Sequence, residues 1–227
     1  MKNRKKILCI VAHPDDEALG VGGTLIKHVE QGDEVYIIIL SDGEDSKVKM
    51  EEKNPSRNLN AKGWCLETGC ILYNIYNFPD QKLDSIPELE IVRFLERDTE
   101  KIKPEIVYTH FYQDLNKDHR VTSNATFAAI RPISGHGVNP EIRTFETPSS
   151  SDQSPQLQSH IFTPNFYVDI TNQWKVKENS LKNYKLEMKP FPHPRSVKSI
   201  KALAVKRGSE SGLKMAEAFY ITRKIWN

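Results

Sequence analysis

No apolar run in this chain approaches the ~20 residues that a membrane-spanning helix needs, so no transmembrane segment is expected. Cysteine is scarce: Cys9, Cys65 and Cys70 are odd in number and form no C-x-x-C pair. They give no disulfide framework and read as small apolar residues in a reducing cytoplasm. Charge of either sign is not in excess. Thirty-two Lys and Arg against 30 Asp and Glu leave a net +2 with no basic stripe, so no nucleic-acid partner is expected. The cluster Lys2-Asn3-Arg4-Lys5-Lys6 reads as a solvated tail. It precedes an apolar stretch, as in a signal peptide, but that stretch is short. It also ends in a histidine and acids, not in a small-residue cleavage site. Internal repeats and low-complexity segments are absent too.

What is present is ordinary globular material. At 38% hydrophobic and 27% charged, the composition argues against wholesale disorder. The 227 residues suffice for one substantial core. We expect a single domain over 1–227, with a core to about residue 147 and a C-terminal elaboration from about 148. Apolar runs at 6–11, 34–40, 70–77, 105–110 and 143–147 read as strands. Helical segments are expected at 19–31, 56–67, 87–103 and 119–130. This alternation predicts an α/β fold, Rossmann-like, with a mostly parallel sheet and helices on both faces. Beyond a polar loop at 148–155, a short strand at 165–170, helices at 174–187 and 197–207, and a last strand at 216–221 complete the reading. A polar, charged loop is expected at 45–55.

The chemistry concentrates in Ala12-His13-Pro14-Asp15-Asp16-Glu17, directly after the first strand. In open α/β sheets, ligands bind at that edge. Packing three acids there is unfavourable unless a cation or shared proton offsets the repulsion, and a metal ion is the simplest solution. Catalytic zinc sites combine three protein ligands with one water. His13 and Asp16 lie three apart in one turn and can converge, with Pro14 restricting the backbone between them. Asp15, between the two, is positioned to act as a general base. The third ligand is expected from another strand end. Asp114-Leu115-Asn116-Lys117-Asp118-His119-Arg120 supplies candidates, of which His119 is the best. Asp118 reads as an anion at a helix start or as a group orienting a ligand.

The hexapeptide resembles the signature of the PIG-L/LmbE-like family of metal-dependent N-deacetylases. The resemblance continues through Ser41-Asp42-Gly43-Glu44, Phe78-Pro79-Asp80 and Asp118-His119-Arg120, about the first 130 residues. It implies a Rossmann-like fold, a Zn2+ ion (sometimes Fe2+) and hydrolysis of an N-acetyl group, usually on a glucosamine-containing substrate. By matched positions, His13, Asp16 and His119 would hold the metal and Asp15 would be the base. Arg57 would bind substrate, and Asp42, after the second strand, is the next substrate-contact candidate. One departure stands out: the family's His-x-Asp-His motif has Asn116 in place of its first histidine. Asparagine can donate a hydrogen bond to an oxyanion but cannot deliver a proton near neutral pH. His193, His110 and Asp15 are the candidates for the acid. The reading adopted is Asp15 as base and then acid, with Asn116 and His193 around the acyl oxygen.

Single residues admit plainer roles. Glu17 reads as structural, and the glycines of Gly20-Val21-Gly22-Gly23 read as allowing close helix–sheet approach, since acids occupy the turn where a pyrophosphate loop would need glycines. Asp80 reads as a turn residue or substrate contact, and His28, His136 and His160 as surface or loop residues. Arg195 and Arg207 are candidate phosphate contacts, and Phe111 and Tyr112 candidate sugar-stacking groups. The expected partner is a small amino sugar or sugar conjugate. Two other classes stay open: a metal-dependent sugar-binding protein without activity, and a hydrolase of a different amide.

Overall fold

A computed structural model describes residues 4–43, 57–132 and 139–225. The predicted 45–55 loop and His136 lie outside the described residues, as do Glu44 and Ser56. The chain builds β1 (Lys6–Val11), α1 (Asp16–Gly20), α2 (Gly22–Glu30), β2 (Glu34–Ile39), α3 (Arg57–Thr68) and β3 (Ile71–Ile75). There follow α4 (Glu88–Ile102), β4 (Ile106–His110), α5 (Lys117–Ala129), β5 (Glu141–Phe145) and β6 (Phe166–Asp169). The last elements are α6 (Trp174–Ser180), α7 (Val197–Glu210) and β7 (Ala216–Arg223).

One seven-stranded sheet runs in the order β3-β2-β1-β4-β5-β7-β6. The first five strands are parallel, and β7 runs antiparallel to both β5 and β6. Side chains alternate across a strand, so β1 feeds two cores. Ile7, Cys9 and Val11 pack on one face with Val35, Ile37, Trp64 and Phe219. Leu8 and Ile10 pack on the other with Ile38, Ile91, Leu95 and Val107. Helices cover both faces, which is why β1 is a continuous apolar run with no polar alternation. From β1 the chain first builds outward through β2 and β3, then crosses to β4 on the other side. The strand order therefore reverses between β1 and β4, where open α/β sheets leave a ligand crevice at the carboxyl ends.

Three expected elements differ. The helix predicted at 19–31 begins at Asp16, breaks at Val21 and restarts as α2. The break has a distant cause. The Glu217 carboxylate on β7 accepts Gly23 N–H (2.8 Å) and Thr24 N–H (2.7 Å), capping α2. Lys177 Nζ donates to the same carboxylate (2.6 Å) and to Leu19 O (2.9 Å). Gly20 also has no room for a side chain, because a Cβ there would run into the Phe145 ring. Close helix–sheet approach was the expected reason for these glycines. The helix predicted at 174–187 ends at Ser180 and continues as a 3-10 turn, Leu181–Tyr184. The strand predicted at 143–147 runs Glu141–Phe145 instead, paired along β4 from Ile106↔Glu141. Residues 147–151 thereby become a turn at the carboxyl edge. Among the described residues no helix is long and apolar enough to cross a membrane.

Candidate metal centre

The turn after β1 and the start of α5 converge at the β1/β4 crevice. His13, Asp16 and His119 are buried there and offer ligand atoms within 4.8 Å of one another. Asp16 Oδ2 lies 3.3 Å from His13 Nδ1 and 3.4 Å from His119 Nε2, and it accepts His13 N–H at 2.9 Å. The other oxygen, Asp16 Oδ1, is buried and makes no hydrogen bond among the described residues. Two imidazole nitrogens and a carboxylate oxygen are the donor set of a catalytic zinc site. An unsatisfied buried carboxylate oxygen beside them is costly without a cation. The residues fit a divalent metal.

The protons tell the same story. Burial works to discharge His13, but hydrogen bonds to the Asp118, Asp16 and Asp80 carboxylates hold its pKa well above the ordinary imidazole value. Burial likewise opposes charge on His119, yet the Asp16 charge and a hydrogen bond to Asp114 push it up to about 9. Burial would raise Asp16, and the charge of His119 with the hydrogen bonds of His119 and His13 outweighs it, leaving that carboxyl well below its usual range. The pocket demands positive charge at one point. Protons on two histidines meet that demand, and a bound cation meets it instead.

Each histidine is oriented from behind. His119 Nδ1 sits 3.1 Å from Asp114 Oδ1, so a donated N–H turns Nε2 toward Asp16. Asp114 is itself fixed by the hydroxyls of Ser150 and Ser151 and by Asn116 N–H at 2.9 Å. His13 Nε2 lies 3.0 Å from Asp118 Oδ2 and 3.2 Å from Asp80 Oδ1. Asp118 therefore fills both roles the sequence offered it, an anion in the first turn of α5 and a group that orients His13. Asp80 lies in a turn, one of the two roles expected of it, but that turn is buried: the residue is 1% exposed and its carboxylate faces His13. His13, Asp80 and Asp118 form a second set of converging donors, on the far side of the His13 ring.

Asp15 caps α1 with φ +120°, a region that costs a non-glycine residue of order 1–3 kcal/mol. Its Oδ2 accepts from Arg195 Nη1 (3.0 Å) and lies 3.4 Å from Arg57 Nη2, while Oδ1 is buried without a hydrogen bond among the described residues. Burial raises its pKa against the pull of the two arginines. Glu17 is structural, as expected: it accepts from Tyr184 O–H and, at 3.2 Å, from Asp15 N–H. Burial raises its pKa to about 8.

The remaining candidates separate. Asn116 is the N-cap of α5, its Oδ1 accepting Asp118 N–H at 2.8 Å, so only its Nδ2 is left to meet a ligand. His193 is exposed; its Nδ1 accepts Arg195 N–H at 3.0 Å, and none of its hydrogen bonds reaches His13, Asp16 or His119. Arg57 lies at the site, but its guanidinium ties the strand ends together, donating to Gly43 O and Pro14 O at 3.0 Å each. Gly43 has φ +70° and any Cβ would enter that guanidinium, so glycine is required. Asp42 is half-buried just past β2.

His110 cannot be the acid. Its Nε2 accepts Ala12 N–H (3.0 Å), its ring stacks on His119 at 3.9 Å, and burial with the His119 charge drives its pKa down to about 3. Arg207 is no phosphate contact, being engaged by Glu146 and Glu210. Phe111 is buried against Phe162, whereas Tyr112 stays exposed. His28 is not a surface residue either: it bridges Asp33 and Tyr108. Sequence reasoning left Asp114 unassigned and offered Arg195 only as a phosphate contact, whereas the structure pairs it with Asp15. The spacing Asp114…His119 was visible, but its partners Ser150 and Ser151 come from a loop that no motif marks.

The GlcNAc-PI de-N-acetylase (PIG-L) family profile matches residues 8–130, more than half the chain. The diacetylchitobiose deacetylase of Thermococcus kodakarensis is 27% identical over 225 residues, covering 94% of this chain and 81% of that protein. Among solved structures, the conserved protein TT1542 from Thermus thermophilus superposes with TM-score 0.77 at 24% identity, over 98% of this chain and 97% of that one. GalB, the 4-carboxy-2-hydroxymuconate hydratase of Pseudomonas putida, superposes with TM-score 0.76 at 19% identity, over 98% of each chain. The fold is therefore shared with a protein of different chemistry, and the site residues have to carry the functional argument.

Proposed function

The chain belongs to the PIG-L family of de-N-acetylases, and from that premise we propose that it removes the acetyl group from the nitrogen of an N-acetylglucosamine-type sugar or sugar conjugate. The observation that carries the reading is the meeting of His13, Asp16 and His119 donors beside Asp15, with Asp16 Oδ1 and Asp15 Oδ1 both buried and unsatisfied among the described residues. The similarity to a diacetylchitobiose deacetylase supports the substrate class.

His13, Asp16 and His119 would hold Zn2+, with Fe2+ the alternative. Such an ion supplies Lewis acidity, polarising an acyl oxygen and making water a nucleophile near neutral pH. Asp114 fixes the tautomer of His119, and Asp118 orients His13. Asp15 accepts the proton of the attacking water at Oδ1 and returns it to the leaving amine, which removes the need for a histidine at position 116. Asn116 Nδ2 donates to the developing oxyanion. His193 stands with the loop that carries Arg195, and its Nε2 is left to meet the acyl group or the sugar. Asp42 and Arg57 contribute at the strand ends, Asp42 by contacting sugar hydroxyls and Arg57 by bracing Asp15. The three buried free thiols accord with a reducing, cytoplasmic setting.

The test is acetate release from N-acetylglucosamine and N,N′-diacetylchitobiose, with chelator and after restoring metal. Chelator-sensitive release is expected. Sugar binding without release would favour a non-catalytic binding protein, and release only from other amides would move the acyl group elsewhere.

A further inference from the structure

Asp15 is gripped from the far end of the chain. Arg195, in the C-terminal third, sends Nη1 to Asp15 Oδ2 (3.0 Å) and Nε to Ser149 Oγ (2.8 Å). Arg57, at the start of α3, approaches the same Oδ2 at 3.4 Å. Glu187 spans the two arginines, with Oε1 3.6 Å from Arg57 Nε and Oε2 3.6 Å from Arg195 Nη1. Four chain segments therefore close a ring of charges on one oxygen of one buried carboxylate.

The mode of contact separates positioning from mere stitching. Arg207 stitches: its Nε and Nη2 meet both oxygens of Glu146, at 2.7 and 2.8 Å, and satisfy that carboxylate completely. Arg195 and Arg57 crowd a single oxygen and leave Asp15 Oδ1 buried without a hydrogen bond among the described residues. A carboxylate turns easily about its last bond, so donors on one side select which oxygen stays available. The backbone at φ +120° adds a second constraint, since that conformation persists only where its surroundings hold it.

We propose that Arg195 is a positioning residue for the reaction: by holding Asp15 Oδ2 it presents Oδ1 as the proton-accepting oxygen. The C-terminal elaboration is thereby part of the catalytic apparatus. This rests on the reading of Asp15 as the base. Lysine cannot replace Arg195 fully, because one ammonium cannot reach Asp15 and Ser149 in the fixed fork of a guanidinium.

The experiment compares wild type, Arg195→Ala, Arg195→Lys and Asp15→Asn, all zinc-loaded, on whichever of the two sugars above the wild type deacetylates. In Arg195→Ala, kcat is expected to fall about 10²-fold, the loss that a small misplacement of a reacting group produces, with KM and zinc content unchanged. Arg195→Lys should fall between the two. Because the Arg195 side chain is 23% exposed, sub-denaturing guanidinium can enter the truncated site and should restore kcat. A crystal structure of zinc-loaded Arg195→Ala should show the Asp15 carboxylate rotated, a readout that needs no substrate. Should Arg195→Ala fail to fold, Ser149→Ala removes the Nε anchor alone and should lower kcat by a smaller factor. An unmoved Asp15 carboxylate, unchanged kcat, or a loss of kcat matched by loss of zinc would each overturn the proposal. Full turnover by Asp15→Asn would instead overturn the general-base reading on which it stands.

Discussion

Two polar clusters sit on the sheet, a half-buried one toward the amino ends of its strands and a buried one toward the carboxyl ends, and they are built on opposite principles. Toward the amino ends, Asp33, His28, Tyr108, Arg143 and Glu141 form a continuous chain of hydrogen bonds. His28 Nδ1 meets Asp33 Oδ2 at 2.7 Å, His28 Nε2 meets Tyr108 O–H at 3.0 Å, and Arg143 donates to Tyr108 (2.7 Å) and Glu141 (2.6 Å). At the carboxyl ends, His13, Asp15, Asp16, Asp80, Asp118 and His119 are packed more deeply but not closed among themselves. Asp15 Oδ1 and Asp16 Oδ1 find no donor among the described residues. A closed network rigidifies a fold; one left open needs a ligand to complete it. Titratable residues are common to both clusters, so satisfaction, not composition, marks the site.

The comparison breaks most visibly at the ligands. His13→Ala should lose both metal and turnover. Asp15→Ala should keep its metal and lose activity by about 10²–10⁴-fold, the range for removing a general base. Metal analysis beside acetate release separates the two, and substantial turnover in Asp15→Ala would remove its role. A smaller effect is expected one step back from the metal. Asp114→Ala frees His119 Nδ1 and should weaken metal binding about 10–100-fold in chelator competition, with Asp114→Asn falling less far. Unchanged affinity would reduce Asp114 to a loop anchor.

At the other cluster the signs reverse. Tyr108→Phe strands His28 and Arg143, and should cost about 1–3 kcal/mol in denaturant unfolding while leaving acetate release untouched. Lost activity at full stability would mean that the two ends are coupled. The smallest effect is in pH. Burial holds the His28 pKa below its ordinary 6.5, the Asp33 hydrogen bond only partly offsetting this. Below pH 6.5 the unfolded chain binds the proton more readily than the folded one, so stability falls as pH drops and is recovered above 6.5. His28→Gln should flatten that slope, which urea midpoints at pH 7.5 and 5.5 would register.

The sequence announces the open cluster far better than the closed one. His13, Asp15 and Asp16 share one turn, and the break from apolar strand to acids is visible locally. His119 follows because α/β topology brings strand ends to one edge. His28 carries no such signal, for its partners Tyr108 and Arg143 are met only once β4 and β5 pair. The same limit hides Glu217, 194 residues from the α2 start that it caps, and Arg195, 180 residues from Asp15. Strands and helices with strong periodicity fall within a few residues of expectation. The elements that shift are those bent by such distant contacts, α1–α2 and the segment after Ser180.

The most direct measurement is anomalous diffraction at the zinc edge from crystals of the metal-loaded protein. The account predicts one peak at ~2.0–2.2 Å from a ring nitrogen of His13, an oxygen of Asp16 and a ring nitrogen of His119. A peak held instead by His13, Asp80 and Asp118, or none within reach of His119, would contradict it.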